Sequence, residues 1–575
     1  MACLALIDHG QFVLAGLVLG AGLLIEHTVQ IGTLRWEIRA RDIRMPRDSR
    51  WRPPSRMREP IGYLTSHFPM LWRLVQRIVP LARWFNRFAI RNMALVVDPR
   101  PNPLSTMAPY TSWSSLTDRT YSGRHLPPAS AQPSAEARNA PPSTDDVAVL
   151  FERRGDMAEC PKSTVLFSFF AQWFTDGFLR TARDVPRGEL RDTLRNESNH
   201  EIDLVQIYGL NREMTEQLRA RRGGLLKSQW IDGEEYPEYY CRDGVPRQEF
   251  DKLLTPVGFR KMQRADRDML FAIGSDITNL GVVAFNVLFL REHNRIAARL
   301  SAEHPAWDDD RVFETTRNVL TVVLLKIVID EYINHIAPYH FRFWLAPESF
   351  PNEQWYRPNW MAIEFNLLYR WHSMVPSTFH LNGEDLPIEE MLYDTTRLTA
   401  AGLGSVMAAA SDQPAGRISL GNTDPLLVDW AEKPSIDQAR AADLCSYNDY
   451  RRLCRYPAAA DFDDISADPE IQARLKATYG SVEDVEFYVG LFAEDTMPNG
   501  VLPPLIAAMV SFDAFSQALT NPLLAPRIYN EHTFSPTGMQ IIAETGSISD
   551  IVRRNVPQGS APDFVSLTRR DPAQT

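Results

Sequence analysis

Glu364-Phe365-Asn366-Leu367-Leu368-Tyr369-Arg370-Trp371-His372 is a helix-favouring run without glycine or proline that sets a tyrosine three residues before a histidine. Residues three apart on a helix share a face, with Cβ atoms roughly 5–6 Å apart. A single Tyr-x-x-His arises by chance in many helices, so its weight comes from what surrounds it. Pro376-Ser377-Thr378-Phe379 follows, beginning four residues after His372. Phe169-Phe170-Ala171-Gln172, Ile207-Tyr208-Gly209 and Leu290-Arg291-Glu292-His293-Asn294-Arg295 precede it, and Pro338-Tyr339, Ser435-Ile436-Asp437-Gln438 and Phe515-Ser516 complete the series.

Working outward, Ser163 to Thr181, Asp276 to Leu300 and Asp309 to Ile336 are long periodic runs with few glycines or prolines, and strand-like alternation is scarce. The pattern predicts an all-α chain with a large, mainly helical domain. Its 575 residues exceed the usual domain length of about 150 residues, but that prior is soft. A net charge of −11 argues against nucleic-acid binding. The five cysteines, Cys3, Cys160, Cys241, Cys445 and Cys454, form no close pairs, which points to a fold independent of disulfides and to a reducing compartment. There is no internal repeat, Gly-x-Gly-x-x-Gly, P-loop or Cys-x-x-Cys.

The N-terminal part has a different character. Residues 11–25 form a 15-residue apolar run, shorter than the ~20 residues of a spanning helix. Arg35 to Arg58 then carries nine arginines against three acids. That order suits either a membrane tether with the bulk of the chain on the cytoplasmic side, or a buried helix and a solvated linker. Residues 60–97 contain no acid, and Arg73, Arg77, Arg83, Arg87 and Arg91 alternate there with Trp72, Trp84, Phe85, Phe88 and aliphatic residues. Short basic amphipathic helices of this kind suit a membrane interface; an ordinary helical hairpin packed on a core is the alternative. The expected organisation is an N-terminal segment and linker (1–59), amphipathic membrane-binding helices (60–97) and a catalytic domain (98–575). A Pro/Ala/Ser-rich loop is expected at 127–146.

In their order and content, these stretches resemble the prostaglandin endoperoxide synthases, or cyclooxygenases, of the animal-type haem peroxidase superfamily, from about position 60 to about 557. The resemblance implies a haem peroxidase-like catalytic domain behind a monotopic membrane-binding segment, and Tyr63-Leu64-Thr65-Ser66-His67-Phe68 is similar to the entry of that segment. The growth-factor-like module of the mammalian enzymes has no counterpart here. His372 corresponds to the proximal haem ligand, a role suited to a neutral imidazole. Tyr369 corresponds to the tyrosine that becomes a radical and removes hydrogen from an unactivated C–H bond. His293, among Arg291, Glu292 and Arg295, reads as part of a structural salt-bridged helix rather than as a rival ligand.

The same resemblance assigns the remaining site residues. Tyr332 stands where a tyrosine hydrogen-bonds the radical tyrosine. Tyr339 and Arg91 stand at the channel mouth, where a guanidinium can fork onto a fatty-acid carboxylate. Trp371 and Ser516 are counted with the channel. Phe512 and Leu519 replace glycines of the mammalian enzymes and would shorten or bend that channel. On the distal side Gln172 is kept, but Asp176 replaces the histidine that moves a proton between the peroxide oxygens. A carboxylate is a weaker base, so weak peroxidase turnover is expected. Thr175 stands where an aspartate forms a haem ester in granulocyte-type peroxidases, which implies non-covalent haem b. The overall expectation is a membrane-associated fatty-acid dioxygenase using O2, peripheral on the cytoplasmic side, with a homodimer as an allowed assembly. The alternatives are a peroxidase of small reductants and a haem-binding protein without turnover.

Overall fold

The computed structural model describes residues 65–66, 68–94, 106–107, 110–132, 139–182, 194–353, 355–392, 395–497 and 499–570. The 11–25 run, the arginine-rich linker, and Tyr63, Leu64 and His67 lie outside the described residues. Helices dominate, as the periodicity predicts. The ones that position the site are α1 (Pro69–Arg77), α2 (Val79–Ala94), α3 (Val165–Asp176), α4 (Leu280–Glu303), α5 (Asp309–Ile327), α6 (Ile363–Leu368), α7 (Lys433–Ala441), α8 (Phe487–Ala493), α9 (Pro504–Leu519), α10 (Glu531–Glu544) and α11 (Ile548–Asn555). The described β-structure is four two-stranded antiparallel ribbons, among them Glu159–Thr164 with Pro414–Gly416.

Helix starts follow local chemistry. The Asn279 side chain accepts from the Val282 N–H to cap α4, and Asp308 caps α5 ahead of Asp309 and Asp310. The run Asp309 to Ile336 is one helical stretch, but Val328–Ile333 is wound as a π-turn. A second π-turn, Val428–Glu432, leads into α7. Such turns rotate the side chains that follow them out of the ordinary 3.6-residue register, and they are frequent at functional sites.

The core is a continuous cluster in which α4 packs against α3, α5 and α11, and α5 against α10. Glu292 at its edge is held by Arg295 and Arg554, at 2.8 and 2.7 Å. Trp72, Phe85, Ile90 and Ala94 of α1 and α2 belong to the same cluster, and Trp72, Phe85 and Phe341 pack ring on ring. The opposite side of this hairpin leaves Met70, Ile78, Val79, Leu81 and Trp84 exposed, Trp84 at 60%, beside the exposed Arg73, Arg77, Arg83 and Arg87. Among the described residues no helix is long and apolar enough to cross a membrane. Cys160, Cys241, Cys445 and Cys454 are buried, and none of these four is in a disulfide.

Candidate active site

The Tyr369–His372 segment is not a continuous helix. Helix α6 stops at Leu368, Tyr369 and Trp371 take non-helical dihedrals, and His372–Met374 forms a single 3-10 turn. The expectation that Tyr369 and His372 share a helix face is therefore corrected. Proline at 376 removes a backbone donor and disfavours the α conformation at Val375, so a helix through this point would fail. The turn is held instead by buried polar groups. Arg153 donates to the Val375 carbonyl at 2.9 Å, and Asn422 to the Ser373 carbonyl at 3.3 Å.

His372 is one-fifth exposed, and its Nδ1 lies 3.2 Å from Oε1 of the buried Glu432. The approach is not ideally aligned, and no other polar atom serves Nδ1. Glu432 ends the second π-turn and is fixed by the Tyr488 hydroxyl, which donates at 2.6 Å, and the Thr423 hydroxyl, at 3.0 Å. With Nδ1 turned to a carboxylate, Nε2 is the nitrogen left for a metal.

Helix α3 is buried on most sides, with Ser168, Gln172 and Thr175 forming its more open stripe. The Gln172 amide oxygen accepts from Asn279 Nδ2 at 2.9 Å, which turns the Gln172 amide nitrogen outward as a donor. Phe167 of α3 stacks on both Trp371 and Tyr332, at 5.8 and 5.4 Å, so α3 and the His372 segment face each other. A cavity of about 130 Å³ between Arg370 and the end of α3 is lined by Asp176, Leu179, Arg180, Thr181 and Ala182. An imidazole whose Nδ1 faces a buried carboxylate, opposite a helix with an open polar stripe, would suit a haem held through Nε2. Thr175 donates to the Ala171 carbonyl and offers no carboxylate for an ester.

Asp176 does not fit the proton-carrying role expected of it. Its Oδ1 is 2.6 Å from Arg180, its Oδ2 accepts from Ser275 at 2.6 Å, and the side chain is buried. Both oxygens are committed to fixed donors, so the side chain is built into a hydrogen-bonded frame with Arg180 and Ser275.

Tyr369 stacks on Trp371 at 4.7 Å and meets Phe365 at 5.0 Å. Burial pushes its phenol pKa up, Tyr332 draws it back down, and the Asp513 carboxylate raises it again. Tyr332, on the first π-turn, is fully enclosed without a well-aligned hydrogen bond, and burial and the nearby Tyr369 push its pKa well above 10. Asp513 is 0% exposed and sits 2.8 Å from His125 Nε2. Sequence reading missed this pair, because 388 residues separate its members.

On α9, the Ser516 hydroxyl donates to the Asp513 carbonyl at 2.9 Å, and Phe512 and Leu519 are buried. Arg91 is exposed, and its ionic partner is Glu353 at 3.3 Å. Tyr339 lies near Tyr456, whose pKa it helps to raise. Any carboxylate reaching Arg91 competes with Glu353. His293 has both nitrogens occupied, Nδ1 by the Tyr208 hydroxyl and Nε2 by the Gly224 carbonyl, each at 2.8 Å, and burial lowers its pKa to about 4. It is a structural histidine, as expected.

A family model described as animal haem peroxidase matches residues 169–565. Prostaglandin G/H synthase 2 of Oryctolagus cuniculus is 30% identical over 523 residues, covering 90% of this chain and 83% of its own. Among solved structures, the fatty acid alpha-dioxygenase of Oryza sativa superposes with a TM-score of 0.61 at 18% identity, over 87% of this chain and 94% of its own. Peroxidase A of Dictyostelium discoideum gives 0.59 at 20%, over 75% and 91%. At these identities the two structures speak to the fold.

Proposed function

We propose that this chain, which belongs to the animal haem peroxidase family and is an oxidoreductase of the dioxygenase and peroxidase class, is a fatty-acid dioxygenase working through a radical on Tyr369. The family implies haem, and His372 is the residue we assign to hold it, through Nε2 and without a covalent link. The observation that carries this reading is the arrangement around His372. Its Nδ1 faces Glu432, Tyr369 is three residues away on the same pinned segment, and Gln172 is on the helix opposite.

When bound and given peroxide, haem supplies a one-electron oxidation of the neighbouring phenol. The rest is work for the chain. Gln172, oriented by Asn279, presents an N–H to the distal space. Burial and Asp513 keep Tyr369 protonated at rest, so its oxidation removes a whole hydrogen atom. The phenoxyl then takes a hydrogen atom from an unsaturated chain and becomes phenol, O2 adds to the carbon radical, and the resulting peroxyl takes a hydrogen atom back from the Tyr369 phenol, which leaves a hydroperoxide and restores the phenoxyl. The committed oxygens of Asp176 favour slow peroxidase turnover, which counts against a peroxidase of small reductants. The fatty acid enters past Arg91 and Tyr339 and lies along Ser516, Phe512 and Leu519. The exposed apolar and arginine side of α1 and α2 supports docking on a membrane surface.

Oxygen uptake by haem-loaded protein with a panel of fatty acids, with and without trace hydroperoxide, tests the reading. Uptake with unsaturated acids that hydroperoxide shortens in lag supports it. Reductant oxidation without uptake would make the protein a peroxidase, and neither activity would make it a binding protein.

A further inference from the structure

Glu432 is a buried carboxylate, 1% exposed, on the proximal side of the site. A buried carboxylate is costly unless its oxygens are filled by donors. Oε2 takes the Tyr488 hydroxyl at 2.6 Å and Oε1 takes the Thr423 hydroxyl at 3.0 Å. A third donor is in reach, since His372 Nδ1 stands 3.2 Å from Oε1 and makes no well-aligned hydrogen bond elsewhere. These residues come from four separate places in the chain. The π-turn Val428–Glu432 supplies the carboxylate, α8 supplies Tyr488, the segment before the π-turn supplies Thr423, and the 3-10 turn supplies His372.

We infer that Glu432 is a positioning residue that accepts the Nδ1–H of His372, fixing the imidazole tautomer and making the histidine a strongly electron-donating axial ligand. A carboxylate behind a metal-bound imidazole raises the basicity of that ligand. Greater donation stabilises the ferric form over the ferrous form, so the pair sets the haem potential low. Tyr488 tunes the effect, because each donor on Glu432 draws negative charge away from His372. Burial and Glu432 itself push the Tyr488 pKa well above 10, so it remains a donor. This inference rests on the proposed axial role of His372.

The test is made on haem-loaded, full-length protein by redox titration of the ferric–ferrous couple and by the iron–histidine stretching band of the ferrous form. Glu432→Gln should raise the potential and lower the stretching frequency while the Soret band persists. Tyr488→Phe leaves the carboxylate with one donor fewer, so it should shift both quantities the opposite way. That variant also keeps the question open to measurement should Glu432→Gln fold poorly. A potential and stretch unmoved by both variants, or moved the same way by both, would overturn the inference. His372→Ala separates the two levels. If it loses the axial signature while the other variants do nothing, only the Glu432 role fails. If its Soret band is unchanged, the assignment of His372 fails.

Discussion

Arg180 reaches Asp176 Oδ1 at 2.6 Å with one terminal nitrogen and Asp276 Oδ1 at 2.5 Å with the other, and all three side chains are largely out of solvent. One guanidinium thus ties the end of α3 to the segment leading into α4, the two elements that carry Gln172 and Asn279. Asp176, expected from the resemblance to carry protons, is here part of the frame that holds the end of α3 against the segment leading into α4.

Asp176→Asn should therefore act on stability more than on peroxide chemistry. Removing one partner of a buried ion pair typically costs 3–5 kcal/mol, and because Asp276 remains on Arg180 the expected loss is about 2–4 kcal/mol. Hydroperoxide reduction at matched haem content should stay within about threefold of the wild type, well short of the roughly 100-fold loss of an essential general acid–base. Thermal unfolding and single-turnover peroxide assays check both halves, and a large rate loss with unchanged stability would return Asp176 to the chemistry.

Two buried groups should oppose each other in the acid range. Burial lowers His293 from 6.5 to about 4, so the unfolded chain binds its proton more readily, and stability from this group rises with pH across that window. Burial raises Glu331 from 4.5 to about 7, so the folded chain holds that proton, and stability from this group falls as pH rises across its window. Each is on the order of 3 kcal/mol, and between about pH 4.5 and 6.5 they largely cancel. Denaturant unfolding of Glu331→Gln should expose the His293 slope, with stability falling as pH drops from 6.5 to 4.5 more steeply than in the wild type. Equal slopes would remove this assignment.

The α1–α2 hairpin should bind anionic vesicles through the side it leaves exposed. At roughly 1 kcal/mol per basic residue near such a surface, reversing Arg73, Arg77 and Arg83 to Glu should weaken binding by roughly 100-fold or more. Trp84→Ser should weaken it on neutral vesicles too, because this exposed ring contributes apolar area rather than charge. Co-sedimentation unchanged in both variants would make the hairpin an ordinary surface of the fold.

Phe512 is buried on α9, one residue before Asp513, whose carboxylate acts on Tyr369. Phe512→Ala should open room there and move the oxygenation position or admit longer chains, at a stability cost of about 3–5 kcal/mol. Mass spectrometry of the products decides it, and an unchanged product profile at retained activity would place the fatty acid elsewhere.

The candidate site residues that the sequence offers are those carried by compact local motifs. Tyr369, His372, Gln172 and Tyr332 lie in short recognisable runs, and the long helices around them announce themselves by periodicity. What lay beyond reach was built by distance and by irregular winding. Glu432 enters through a π-turn that no 3.6-residue pattern reveals, and its partners His372, Thr423 and Tyr488 come from separate segments. Asp513 meets His125 across most of the chain. Arg180 is an unremarked arginine until the fold brings Asp276 to it, which is also why Asp176 read as catalytic. The helix expected through Tyr369 and His372 failed because Pro376 and the Arg153 and Asn422 hydrogen bonds favour a turn.

The most direct test of the central claim compares wild type with Tyr369→Phe at equal haem content, following oxygen uptake and the electron paramagnetic resonance signal after addition of peroxide. Phenylalanine preserves the packing against Trp371 and Phe365 but cannot form a phenoxyl radical. The account predicts a tyrosyl signal and fatty-acid-dependent oxygen uptake in the wild type, and neither in the variant, with the same Soret band in both. Undiminished oxygen uptake by Tyr369→Phe would contradict it.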